Sequence, residues 1–345
     1  MKVRLLAGVV FGSLLFAQVP ARQEQPPPTF RVAPTEVIVP VTVTDEKGRF
    51  VSNLDAADFK IYDQGKEQSL TSFSRERNQP VVVGFLLDLS STNRLHWYKF
   101  KEAAQDLVSN LLPGDKRFSG YLITYATEAE LAVDTTQDAE KIMDRIRKLK
   151  PGGGAALFDS IYMACTTRSL IKGEPIEPRR ILIIIGDGHD NASKKGLREV
   201  LELAQRNLVT IYAMSTRAFG FEAAGDSNLQ KLSGDTGGRV EYPLESLYKD
   251  VSGYLSTPSD EGNYAYKVGT GLYTNALLKG IYDSVATLAG EITTQYILHY
   301  APSVPESSAA VHDLRVVVNL PGAVVRSRQY YYPNEVPQVL NPSGR

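Results

Sequence analysis

Asp88, Ser90 and Thr92 occupy alternate positions directly after an apolar run, residues 81–87. A carboxylate followed by two hydroxyls on one turn offers hard, oxygen-only donors, the chemistry preferred by Mg2+, Ca2+ or Mn2+. A second carboxylate, Asp187, follows another apolar run at 181–185, and between the two lies the glycine-rich stretch 152–156. Open α/β sheets bind ligands beyond the carboxyl ends of their strands. The three loops 88–92, 152–156 and 186–190 are therefore expected to converge on one edge, with water filling the rest of a cation's shell.

The alternatives are enzymatic, and each lacks a part. A phosphatase of the haloacid dehalogenase type needs a second carboxylate two residues after the first, where Ser90 stands. Ser90 and Ser91 lack the Gly-x-Ser-x-Gly elbow of a serine hydrolase. The glycines 152–154 are not followed by the Lys-Ser/Thr pair of a phosphate loop. His189, between Asp187 and Asp190, reads as a rim residue rather than a base, and His96 as a surface residue at a helix start. Asp190 is a spare carboxylate, either outside the donor set or a supplement to it. No residue is assigned a catalytic role.

These loops need a scaffold, and the pattern supplies one. Runs 81–87 and 181–185 carry no polar side chain, as expected of parallel strands covered on both faces. Strands at 118–125, 209–214 and 239–242 alternate with helices at 97–112, 138–149, 157–170, 196–206 and 228–232, which argues a doubly wound, mostly parallel sheet. A long amphipathic helix is read from Leu277, Leu278, Ile281, Val285, Leu288 and Ile292. Before this unit, 36–44 reads as a strand placed at a sheet edge by Pro40, and 58–62 and 69–74 as strands around a turn at 63–65. After it, 295–300, 314–319 and 324–332 return to strand character. The two β-rich ends are expected to pair into a sandwich into which the α/β unit is inserted.

The bulk composition narrows the setting. With 43% hydrophobic and 22% charged residues in 345, the chain is globular. Its 38 basic and 39 acidic residues give a net charge of -1, so nothing points to nucleic acid. Lys2 and Arg4, the apolar run 5–16 and the small residues Ala17 and Ala21 form the layout of a secretory signal peptide, the alternative being an uncleaved anchor. No integral span is expected after signal removal, so the protein is placed outside the cell, in the periplasm or in the envelope. Cys165, the lone cysteine, reads as a small buried hydrophobe. The expected division is signal 1–21, Pro- and Gln-rich linker 22–35, β-rich segment 36–78, α/β domain 79–293 with an insertion near 254–273, β segment 294–333 and tail 334–345.

The order Asp-x-Ser-x-Thr, glycine-rich loop and Asp-Gly after a further apolar strand resembles the von Willebrand factor A domain. More narrowly, it resembles the secreted bacterial VWFA-related proteins, in which a β-rich segment comes first. The resemblance runs over roughly 37–333 and is most specific over 80–242. It implies that Asp88, Ser90 and Thr92 match the Asp-x-Ser-x-Ser motif of a metal ion-dependent adhesion site, with Asp187 contributing through water. The family's threonine in the glycine-rich loop is replaced by Ala155, whose methyl cannot coordinate, so affinity for the cation is expected to fall. The resemblance further implies a non-enzymatic, adhesion-type protein whose cation accepts a carboxylate from a protein partner. In that family, movement of the last helix, here 275–293, can be coupled to the site. The rival reading is a metal-free scaffold binding through its β-rich domain or the insertion.

Overall fold

The computed structural model describes residues 36–75, 80–94, 97–167, 179–217, 224–244, 270–303 and 311–332. At its centre is a six-stranded sheet. Its strands are β5 (Val81–Asp88), β6 (Phe118–Tyr125), β7 (Ala129–Thr136), β8 (Arg179–Gly186), β9 (Val209–Ser215) and β10 (Val240–Glu241). Their order is β10-β9-β8-β5-β6-β7, all parallel except β7, which runs antiparallel to β6. Every residue of β5 and β6 is buried, because helices cover both faces. On one face, Val81, Val83, Phe85 and Leu87 share a core with α1 (Trp97–Leu111), α2 (Ala139–Lys148) and α6 (Thr270–Thr293). On the other, Val82 and Leu86 pack with α3 (Leu157–Thr166), α4 (Leu197–Arg206) and α5 (Ala224–Thr236).

The helices form where the sequence lets them. In α1, Phe100, Ala103, Ala104, Leu107, Val108 and Leu111 repeat at three- and four-residue spacing and are all buried. Helix α2 begins at Asp138, whose side chain accepts from the backbone N–H of Glu140 and Lys141, and ends with Arg145, Arg147 and Lys148 near its negative pole. The reading of 228–232 as a short helix is corrected, since α5 runs from Ala224 to Thr236. Strand β7 escaped the sequence reading because its burial does not alternate cleanly.

The two β-rich ends of the chain do pair. One sheet has the order β13-β1-β11-β4, from β1 (Val37–Thr44), β4 (Leu70–Ser74), β11 (Tyr296–Tyr300) and β13 (Val324–Ser327). The other has the order β14-β12-β2-β3, from β2 (Phe59–Asp63), β3 (Lys66–Gln68), β12 (His312–Val318) and β14 (Tyr330–Tyr331). Val39, Val41, Ile61, Tyr296, Leu298 and Val316 form one core between them.

Pro40 does not mark an edge: β1 lies between β11 and β13. The physical reason is that β13 covers only Val41–Thr44, so beside Pro40 that flank of β1 is open and a missing N–H is tolerated there. Asp63 belongs to β2 and is fully buried rather than lying in the turn. The turn is Gln64-Gly65, both at positive φ (49° and 75°), the geometry that joins β2 and β3 as a tight hairpin. The stretch 324–332 is broken into β13 and β14, which belong to different sheets. Of the insertion expected at 254–273, residues 254–269 lie outside the described residues and 270–273 open α6.

Sandwich and α/β unit meet along the last turns of α6. Glu291, almost fully buried, accepts from Arg239 Nη1 at 2.9 Å and pairs with Arg326 of β13. Arg239 also reaches Glu241 at 2.6 Å. Four residues on, buried Gln295 donates to Thr42 Oγ1 of β1 (3.2 Å) and Tyr212 Oη of β9 (2.8 Å), and accepts from Arg179 of β8 (2.7 Å). Removing the carboxylate that two guanidiniums share takes this partner from Arg326 and leaves Arg239 with Glu241. Glu291→Ala is therefore expected to cost about 3 kcal/mol in urea unfolding. A loss below about 0.5 kcal/mol would show that the contact is not holding the junction.

Candidate functional site

Strand β5 ends by delivering Asp88, 1% exposed, to the carboxyl edge of the sheet. The chain then turns on that carboxylate: Oδ1 accepts from the Ser90 N–H at 2.7 Å. The same turn brings the Ser90 and Thr92 hydroxyls to 2.8 Å from each other. Asn93 fastens the loop from behind, donating to the Asp88 carbonyl at 3.5 Å while its own carbonyl oxygen accepts from the Thr216 hydroxyl at the end of β9. Asp88 and Ser90 are buried and Thr92 is exposed, so the donors climb from the sheet to solvent.

The glycine-rich loop is clamped onto this turn. Ser91 N–H donates to the Gly153 carbonyl and Gly153 N–H to Ser91 Oγ, each at 3.1 Å. Ala155 is held from the third loop: its N–H donates to Asn191 Oδ1 (2.8 Å), and its carbonyl accepts from the N–H groups of Asn191 (3.0 Å) and Ala192 (3.1 Å). The three loops do converge. Ala155 is buried among them and brings only a methyl.

Asp187 lies half-buried just beyond β8 and turns its own loop, accepting from the His189 N–H at 2.9 Å. Asp190 is engaged with its own loop and with α3. Its Oδ2 accepts from the Phe158 N–H (2.9 Å) at the start of α3 and from Ser193 Oγ (2.6 Å), so it caps a helix. His189 is half-buried, and His96 lies outside the described residues. Cys165 packs against the core of the second face, and burial pushes its thiol up to about 12.

Electrostatically, Asp88 is uncomfortable. Burial, and then the neighbouring Asp187 charge, push its carboxyl up to about 7, against the opposing pull of Ser90. Its Oδ2 has no hydrogen-bond partner among the described residues. Two carboxylates, two hydroxyls and an unsatisfied buried oxygen suit a hard divalent cation, which would relieve both the burial and the repulsion. The described residues contain no group of three or more His, Cys, Asp or Glu placed for a metal, so hydroxyls would have to complete the shell.

Sequence reasoning missed three residues here. Asn93 and Asn191 tie the loops together, and nothing in their spacing announces it. Gly186 is the third. A Cβ there would lie 2.5 Å from Tyr125 Oη and 2.7 Å from Asp88 Cβ. A glycine closing an otherwise apolar strand was the available signal.

The family model described as the von Willebrand factor type A domain matches residues 83–249. The chain carries a von Willebrand factor type A domain, flanked by antiparallel sheets built from the segments before and after it. Among solved structures it is similar to a von Willebrand factor type A protein from Catenulispora acidiphila, at 10% identity, with 79% of this chain and 75% of that one covered and a TM-score of 0.43. It is also similar to BatB from Bacteroides thetaiotaomicron, at 17% identity, covering 50% and 98%, TM-score 0.38. A third is proximal thread matrix protein 1 from the mussel byssus, solved with a zinc-occupied MIDAS motif, at 15% identity, covering 67% and 49%, TM-score 0.40. No curated protein matches.

Because the folded-state pKa of Asp88 is raised, its charge costs stability once pH exceeds the unfolded value near 4, and the full cost is reached above about 7. For the cation-free protein the cost at pH 8 is up to roughly 4 kcal/mol. Melting in EDTA should therefore find Asp88→Asn more stable than wild type at pH 8, with the gap closing toward pH 4. A gap independent of pH would contradict the burial argument.

Proposed function

We propose that this chain is an exported, non-enzymatic binding protein that recognises a protein ligand through a divalent cation at the edge of its central sheet. Asp88, Ser90 and Thr92 would hold the cation directly and Asp187 through water, leaving a position for a carboxylate of the partner. Mg2+, Mn2+ and Ca2+ all suit such oxygen donors.

The observation that carries this reading is the state of Asp88. A carboxylate that is buried, repelled by a neighbouring carboxylate and short of a partner at Oδ2 is costly unless something positive comes to it. The fold supports the same reading, since parallel sheets of this type place ligands at the carboxyl edge. Ala155 supplies no oxygen, so the site would be weaker than one with a hydroxyl at that position. Export rests on the amino-terminal pattern alone; among the described residues no helix is long and apolar enough to cross a membrane.

Calorimetric titration with Mg2+ and Mn2+ is the direct test. Saturable binding by the wild type, lost in a folded Asp88→Ala variant, is expected. No heat at millimolar cation would leave the metal-free scaffold as the better reading. Capture of partners from envelope and extracellular fractions, with and without EDTA, extends the test. Binding that survives both EDTA and Asp88→Ala assigns recognition to the β-rich domain instead.

A further inference from the structure

Asp88 Oδ2 is not the only unsatisfied polar atom at this edge. Tyr125, the last residue of β6, is fully buried, and its hydroxyl also has no partner among the described residues. The register explains how the two meet. Tyr125 pairs with Asp88 across β6 and β5, and Leu87 pairs with Ile185 across β5 and β8, so Asp88 stands between Tyr125 and Gly186. All three lie on the sheet face that carries Leu86, Ile123 and Ile184.

Gly186 fixes the reach of the ring. The point where its Cβ would stand is 2.5 Å from Tyr125 Oη and 3.0 Å from Asp88 Oδ2. The tyrosine therefore extends past Asp88 toward β8, and its hydroxyl ends close to the carboxylate oxygen that lacks a partner. The two atoms do not bond each other, but both lie within 3.0 Å of the same point, where only a glycine leaves them room. Four residues deeper on the same face a related arrangement occurs, with Tyr121 reaching over Gly84 of the adjacent strand toward Leu182. There the strand between carries no carboxylate.

We propose that Tyr125 is a positioning residue of the Asp88 cation site, its hydroxyl binding the water or ion that Asp88 Oδ2 takes. Two buried oxygens this close together and without a partner are the arrangement that an ordered water or an ion satisfies. The hydroxyl is neutral, so it adds an oxygen without adding to the repulsion between Asp88 and Asp187. It thereby offsets part of the donor shortage left by Ala155. This assignment rests on the cation reading given above.

The test compares wild type, Tyr125→Phe and Tyr121→Phe by Mn2+ titration, with circular dichroism and thermal melting to establish folding. Tyr125→Phe removes one oxygen and keeps the ring, so it should fold and bind Mn2+ about tenfold more weakly. Tyr121→Phe should bind as the wild type does. Unchanged affinity in a folded Tyr125→Phe overturns the assignment and leaves the cation reading intact. A wild type that takes up no Mn2+ overturns both. Should Tyr125→Phe melt early, its Mn2+ titration is made below its own melting point, with circular dichroism at the same temperature to establish folding. Affinity equal to wild type under those conditions would also overturn the assignment.

Discussion

Folding forces Asp88 out of water at the tip of a strand whose other residues are all apolar, and much of the surrounding architecture answers that one burial. The carboxylate can be accommodated only where main-chain donors and neighbouring oxygens are already arranged. Ser90 provides an N–H, Asn93 ties down the backbone, and Gly186 withholds a side chain so that the carboxyl has room. One oxygen is nevertheless left without a partner. A core position occupied by Leu would be more stable, so the carboxylate is a departure from packing logic of the kind that functional sites show.

The rest of the edge is built by loops that brace one another rather than by side chains that fill space. The glycine-rich loop is held to the 88–92 turn by a pair of reciprocal hydrogen bonds, and the 186–193 loop holds Ala155 and the start of α3. At the carboxyl end of α6 and just beyond it, a second buried polar group, centred on Glu291 and Gln295, ties the chain to β1, β8, β9 and β13. The last helix is thus anchored both in the α/β unit and in the sandwich, and the two lobes share it as a common wall.

Much of this was legible in the residues. Continuous apolar runs identified β5 and β8, and alternation with amphipathic segments identified the doubly wound sheet, because both signals come from burial on two faces. Asp88, Ser90, Thr92 and Asp187 stood out because their types and placement after strands are unusual, and the structure brings their loops to one edge of the sheet. What stayed hidden depends on long-range pairing. Pro40 suggests an edge in isolation, whereas the structure gives β1 a partner on each side and merely shortens one of them. Asp190 carried no assigned place in the sequence, and its contacts with Phe158 and Ser193 show it capping a helix. Tyr125 had no sequence signal: its relation to Asp88 exists only through strand register.

The pairing of β1 with β11 bears on how such a chain reaches its final form. Glu36 and His299 are 263 residues apart in sequence yet touch, at 3.2 Å, across that ladder. Closing a loop of that length directly is slow, since its entropy must be lost before any strand contact compensates. The α/β unit is wired almost wholly through neighbouring strands and helices, and once assembled it carries the strand segments on either side of it toward each other. Sandwich formation then becomes an encounter between tethered ends at high effective concentration. The inserted unit is, in kinetic terms, the template on which the outer domain closes.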